Sequence, residues 1–87
     1  MDTEEENRIK ITILRKMVRQ GFIGGKHTSI ENLPKGLPRS QYDRAKKVIK
    51  RMDKYFIVKS KPDSTHVSID PKMLLEIYDL IKNENDS

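Results

Sequence analysis

Apolar residues recur along the chain with two different periods, and the changes of period mark its elements. Ile9, Ile13 and Met17, with Leu14 and Val18 beside them, repeat at helical spacing and predict a first helix over 7–20. The acids before it suit a helix N-terminus, and Gly21 stands where a left-handed C-terminal cap is expected. Phe22-Ile23 packs the exit and Gly24-Gly25 ends any continuation. Lys26-His27-Thr28 is long enough for one minimal strand. Ser29 is an N-cap for a very short helix over 30–33, which Leu33-Pro34-Lys35-Gly36-Leu37-Pro38 turns into the next element.

A longer helix is predicted over 38–55, with Pro38 at its first position. Tyr42, Ala45, Val48, Ile49, Met52 and Phe56 fall on one face of it, at about 100° per residue. Phe56-Ile57-Val58-Lys59-Ser60 reads as a strand and His66-Val67-Ser68-Ile69-Asp70 as its return, with Val67 and Ile69 inward and 61–65 as the turn. Pro71 opens a last helix to about Asn83. The fold class is therefore α+β and mostly helical. It forms one domain over 7–83, with an acidic tail at 1–6 and a short end at 84–87, both expected to be disordered.

Eighty-seven residues bury a modest core, and with no cysteine neither a disulfide nor a thiolate metal site supplements it. The lack of cysteine is compatible with a reducing cytoplasm. No apolar run is long enough to span a bilayer, and the acidic start is the reverse of a signal peptide, so a cytoplasmic location is expected.

Charge changes the picture more than composition does. Four acids open the chain. From Arg8 to Lys61 sixteen Lys and Arg face Glu31, Asp43 and Asp53, a net +13, and the remainder is −4, which leaves the overall +5. Such asymmetry points to a polyanionic partner met by the middle of the chain. The competing reading is a lysine-rich solvated surface with no partner. On the second long helix the face opposite the apolar stripe carries Ser40, Asp43, Arg44, Lys47, Lys50, Arg51 and Lys54, flanked by Arg39 and Lys46. Asp43 is expected to pair with Lys46 or Lys47 at helical spacing.

The order helix, short strand, short helix, basic helix, hairpin, helix resembles the winged-helix branch of the helix-turn-helix superfamily, particularly its small archaeal members. The likeness covers 7–81 and rests on element order, on Ser29-Ile30-Glu31-Asn32-Leu33 as the short second helix, and on the hairpin after the basic helix. It implies a basic helix lying in the major groove of double-stranded DNA, with the 56–70 hairpin as a wing beside it. Arg39, Ser40 and Arg44, near the start of that helix, are then the candidate base contacts. Gln41 turns partly toward the core and carries less weight. Lys47, Lys50, Arg51 and Lys54 suit phosphate, as do Lys59 and Lys61 on the hairpin and Lys26 and Lys35 beside the turn.

Other features point to structure. Gly24-Gly25-Lys26-His27-Thr28 lacks the GxxxxGK[ST] pattern and the surrounding βαβ unit of a phosphate-binding loop, so its glycines are read as punctuation. His27 and His66, the only histidines, have no metal-ligand spacing and are read as hydrogen-bonded strand residues. No nucleophile, base and orienting group assemble, so neither catalysis nor a cofactor, metal or small-molecule ligand is expected. Tyr42, Tyr55 and Tyr78 lie near apolar stripes and suit packing. The last helix has apolar residues to spare. Met73, Leu74, Ile77, Tyr78 and Ile81 form a candidate homodimer interface, with a monomer using them as an added core helix as the alternative.

These features lead to the expectation of a double-stranded-DNA-binding protein, a transcriptional regulator or a chromatin or replication accessory, associated with the nucleoid. The alternative is a protein-interaction module of a multisubunit assembly.

Overall fold

The structure, a computed structural model, describes residues 3–86, with side chains through residue 83. Its elements are α1 (Thr3–Gln20), β1 (Thr28–Ser29), α2 (Tyr42–Lys50), β2 (Phe56–Lys61), β3 (Ser64–Ile69) and α3 (Leu74–Asp86). Four single 3₁₀ turns, at Ile30–Asn32, Arg39–Gln41, Asp53–Tyr55 and Pro71–Met73, join them. The strands form one antiparallel sheet in the order β1-β3-β2. The fold is α+β and mostly helical.

The apolar stripe of α1 does what its spacing predicts. Ile9, Ile13, Leu14 and Met17 are at most 2% exposed and meet Ala45, Val48 and Ile49 of α2, Val67 and Ile69 of β3, and Ile77 of α3 in one core. α1 is the hub, packing on α2, on α3 and on the core face of β3. It ends at Gly21, whose φ of 75° lets the chain turn back so that Phe22 N–H donates to the Met17 carbonyl at 2.9 Å.

Several boundaries differ from the sequence expectation, each for a physical reason. α1 begins at Thr3, so Thr3 to Glu6 of the expected acidic tail are helical and not disordered; Met1 and Asp2 lie outside the described residues. Glu4, Glu5 and Glu6 fill the first turn, where negative charge is favoured by the helix dipole. At the other end α3 runs to Asp86, through most of the expected disordered end, and Ser87 lies outside the described residues.

The predicted helix over 38–55 divides in three. Pro38 precedes a 3₁₀ turn, α2 itself has nine residues, and after Lys50 the backbone tightens: Arg51 N–H donates to Val48 and Met52 N–H to Ile49. The tightening turns Met52, Tyr55 and Phe56 inward in succession, all at most 8% exposed, just before β2 starts.

Val67 and Ile69 are buried as expected, but Ser68 between them is buried too; Phe56 faces Ile69, Val58 faces Val67 yet is 48% exposed, and the turn shrinks to Pro62-Asp63. Asp70, expected in the return strand, instead caps the turn into α3 by accepting from Lys72 N–H at 3.0 Å. Ser29 caps its own short turn, accepting from Glu31 N–H at 3.3 Å.

Burial separates two leucines cleanly. Leu14 is fully enclosed and Leu75 is 81% exposed. Leu14→Ala should lower the unfolding free energy by about 3 kcal/mol, whereas Leu75→Ala should change it by less than about 0.5 kcal/mol. Urea denaturation of both variants checks this, and similar midpoints would contradict the packing described.

Candidate nucleic-acid interface

α2 owes its exposed cationic face to its buried one. Ala45, Val48 and Ile49 are held in the core. Asp43, Lys46, Lys47 and Lys50 are therefore exposed, with Arg44 half-buried. The face has two flanks that differ in electrostatics.

On the flank toward α1, the helix N-terminus meets the arginines. Arg44 forms an ion pair with Glu5, and Arg51 Nη1 donates to Glu6 at 2.9 Å. Gln41, half-buried, donates to Glu5 at 3.4 Å, in keeping with its expected turn toward the core. Arg44 and Arg51, a candidate base contact and a candidate phosphate contact, thus have internal carboxylate partners from the segment expected to be disordered. Nothing in local spacing reveals this pairing, because the partners lie 39 and 45 residues apart and meet only when α1 and α2 pack.

On the opposite flank the cations surround a groove. Lys35, Arg39, Lys46 and Lys50 line it, Ile30, Pro34, Tyr42 and Ile49 supply its apolar wall, and Glu31 is its one acid; its volume is about 860 Å³. Lys46 and Lys50 are one turn apart on α2 and point the same way. Among the described residues Arg39, Lys46, Lys47 and Lys50 make no ion pair within 4 Å, and neither does Asp43, so its expected pairing with Lys46 or Lys47 is not formed. Ser40 is exposed in the turn before α2. Lys46, treated as a flank residue from sequence, belongs with the central group; the helical period alone hinted at it.

Other predicted contacts are engaged elsewhere. Lys54 lies beyond α2, bonds Glu76 of α3 at 3.2 Å and stands 5.0 Å from the centre of the Tyr55 ring, so it ties α3 to the 3₁₀ turn before β2. That hydrogen bond to Glu76 holds its ammonium above the usual lysine range. Lys26 folds back to donate to the Gln20 carbonyl at 3.1 Å over the Phe22 ring, closing the end of α1. The neighbouring Gly24 is bonded to the sheet: its N–H donates to the Ile69 carbonyl, and the Gly24 carbonyl accepts from the Ser68 hydroxyl.

Lys59 and Lys61 are exposed on β2, away from α2 in sequence and paired across the hairpin with His66 and Ser64. His27 lies near them. Desolvation first, then the electrostatic effect of Lys59, His66 and Lys61, lowers its imidazole below the ordinary value.

Of the candidate interface residues on α3, Ile77 is fully buried in the core and so unavailable to a second copy, while Met73, Leu74 and Ile81 pack partly buried against the core. Leu75 and Tyr78, at 81% and 47% exposure, are the large apolar residues α3 leaves in solvent. Leu75 was not singled out by the periodicity. Tyr55 is buried and Tyr42 half-buried, in keeping with packing roles. Among the described residues no helix is long and apolar enough to cross a membrane.

Because His27 is depressed by nearby cations, Lys59→Ala should move its titration upward. The sign for stability follows: the fold binds the His27 proton less well than the unfolded chain. Its neutral form therefore costs nothing above the unfolded imidazole value, and stability falls as pH drops from there through the folded value. Imidazole NMR titration of the wild type and of Lys59→Ala checks the direction; an unmoved His27 would contradict it.

No protein-family model, curated protein or solved structure matches this chain, so its function is read from its own residues and their geometry.

Proposed function

We propose that the chain is a double-stranded-DNA-binding protein of winged-helix type that presents α2 to the major groove and the β2–β3 hairpin beside it as a wing. The observation that carries this reading is the uncompensated cationic side of α2. Arg39, Lys46, Lys47 and Lys50 project from one short element and its leading turn without carboxylate partners, while acids elsewhere are drawn into ion pairs. A surface of this kind attracts a polyanion and releases condensed counterions when it binds. Element order and the β1-β3-β2 sheet suit the winged-helix arrangement.

Within this reading the contacts separate by geometry. Arg39 and Ser40 stand at the leading end of the helix, where base edges are read, and Lys46, Lys47 and Lys50 grip phosphate along it. Arg44 and Arg51 reach DNA only by exchanging Glu5 and Glu6 for phosphate oxygens. The protein acts as a transcriptional regulator or as a chromatin or replication accessory in the cytoplasm or nucleoid.

A second reading, a protein-interaction module, draws on one observation: the apolar wall of Ile30, Pro34, Tyr42 and Ile49 in the groove beside α2. Acidic peptides with apolar anchors would suit that groove better than a phosphate backbone does.

Binding to a generic duplex at about 50 and about 200 mM salt discriminates the two readings, with a loss of orders of magnitude expected for DNA docking. Lys47→Ala with Lys50→Ala should weaken binding to all duplexes and reduce the salt slope by about two. Weak binding that is flat with salt would favour the protein-interaction reading.

The internal ion pairs make a separate prediction. Glu5→Gln with Glu6→Gln should raise duplex affinity about fivefold, since Arg44 and Arg51 are released and two like charges leave the DNA-facing side. The cost in stability should stay below about 1 kcal/mol, because the arginines are substantially exposed. Fluorescence anisotropy and urea denaturation read the two effects, and unchanged or weaker affinity would place Arg44 and Arg51 outside the contact surface.

A further inference from the structure

The outer face of the sheet gathers a second set of cationic side chains, away from the core. Strand register places Ser29 opposite His66 and His66 opposite Lys59, so these three stand in one row across β1, β3 and β2. The inward neighbours Val67 and Thr28 are buried, which fixes the row on the outward side. Lys61 and Ser64 form the next row, and the Ser64 hydroxyl lies 3.2 Å from His66 Nε2. His27 lies just before β1, within the electrostatic reach of Lys59, His66 and Lys61. Neighbouring strands are about 4.8 Å apart, so the row from Ser29 to Lys59 spans about 10 Å, and Lys61 stands two residues farther along β2 on the same face.

The groups acting on His27 are the cationic Lys59 and Lys61 of β2 and the imidazole of His66 on β3. Lys26, next in the loop, is directed to the end of α1, and Asp70, at the end of β3, is committed to the α3 cap. Among the described residues Lys59 and Lys61 make no ion pair within 4 Å. Cations held together without a carboxylate between them repel one another, and an anion placed among them relieves that repulsion.

We propose that His27, His66, Lys59 and Lys61 form a phosphate-binding surface on the outer face of the sheet. Its ligand is a phosphate group, either of a nucleic-acid backbone or of a free phosphate anion; only the first source rests on the DNA-binding reading. The lysines supply permanent charge, and each imidazole donates an N–H to a phosphate oxygen. A bound anion favours the imidazolium form of His27, so binding takes up a proton there and strengthens as pH falls.

The test follows the two imidazoles by NMR with inorganic phosphate and, separately, with a generic duplex, in the wild type, in His27→Asn/His66→Asn and in Lys47→Ala/Lys50→Ala. Phosphate should raise the pH at which His27 titrates in the wild type. Duplex affinity should rise about tenfold from about pH 8 to about pH 5 in the wild type and about threefold or less in the histidine variant. The α2 variant should lose duplex affinity yet keep the response of His27 to inorganic phosphate. A His27 response to phosphate without duplex binding in the wild type supports the surface and overturns the DNA reading. Tight duplex binding with His27 unmoved by either probe, and equal pH dependence in the histidine variant, overturns the surface and leaves the DNA reading standing.

Discussion

The burial of one side of α2 against α1 is the contact on which the rest depends. Ala45 is fully enclosed and small, and Val48 and Ile49 flank it in the core, so the helix is pinned in rotation about its own axis. Once that rotation is fixed, Lys46, Lys47 and Lys50 are exposed because no other side of the helix is left to them. The same contact brings the first turn of α1 beside Arg44 and Arg51. A cationic surface and its partial neutralisation therefore arise from one packing decision.

This partial neutralisation gives the molecule a polarity that net charge conceals. One flank of α2 meets carboxylates of the chain itself, and the other borders a groove of mixed cationic and apolar character. Exposed ion pairs are weak, about 1 kcal/mol or less each, so Glu5 and Glu6 order their arginines without locking them. A phosphate backbone, with higher charge density, can exchange with them, and salt screens both contacts. The hairpin contributes a separate electrostatic feature. Its lysines and the two histidines share the outward sheet face because antiparallel register brings residues from distant parts of the chain into one row.

Much of this was legible in the residues themselves. The stripe of Ile9, Ile13, Leu14 and Met17, the Gly21 cap, the Ser29 cap and the inward Val67 and Ile69 follow from local periodicity and backbone chemistry, and the structure has each of them. Lys47 and Lys50 were legible for the same reason: a short amphipathic helix has one way to bury its apolar side. The roles of Arg51 and Lys54 were not, because their partners lie 45 and 22 residues away.

The sequence by itself determined which elements form, where most of them begin and end, and which side of α2 is positive, because periodicity and capping act within a few residues. Only the tertiary structure decided that the acidic start is the first turn of α1, that the predicted long helix tightens after Lys50 to bury Met52, Tyr55 and Phe56, and that Leu75 instead of Ile77 faces solvent. It also decided which cations have carboxylate partners. Those outcomes depend on contacts between residues far apart in the chain, and such contacts leave no period in the sequence.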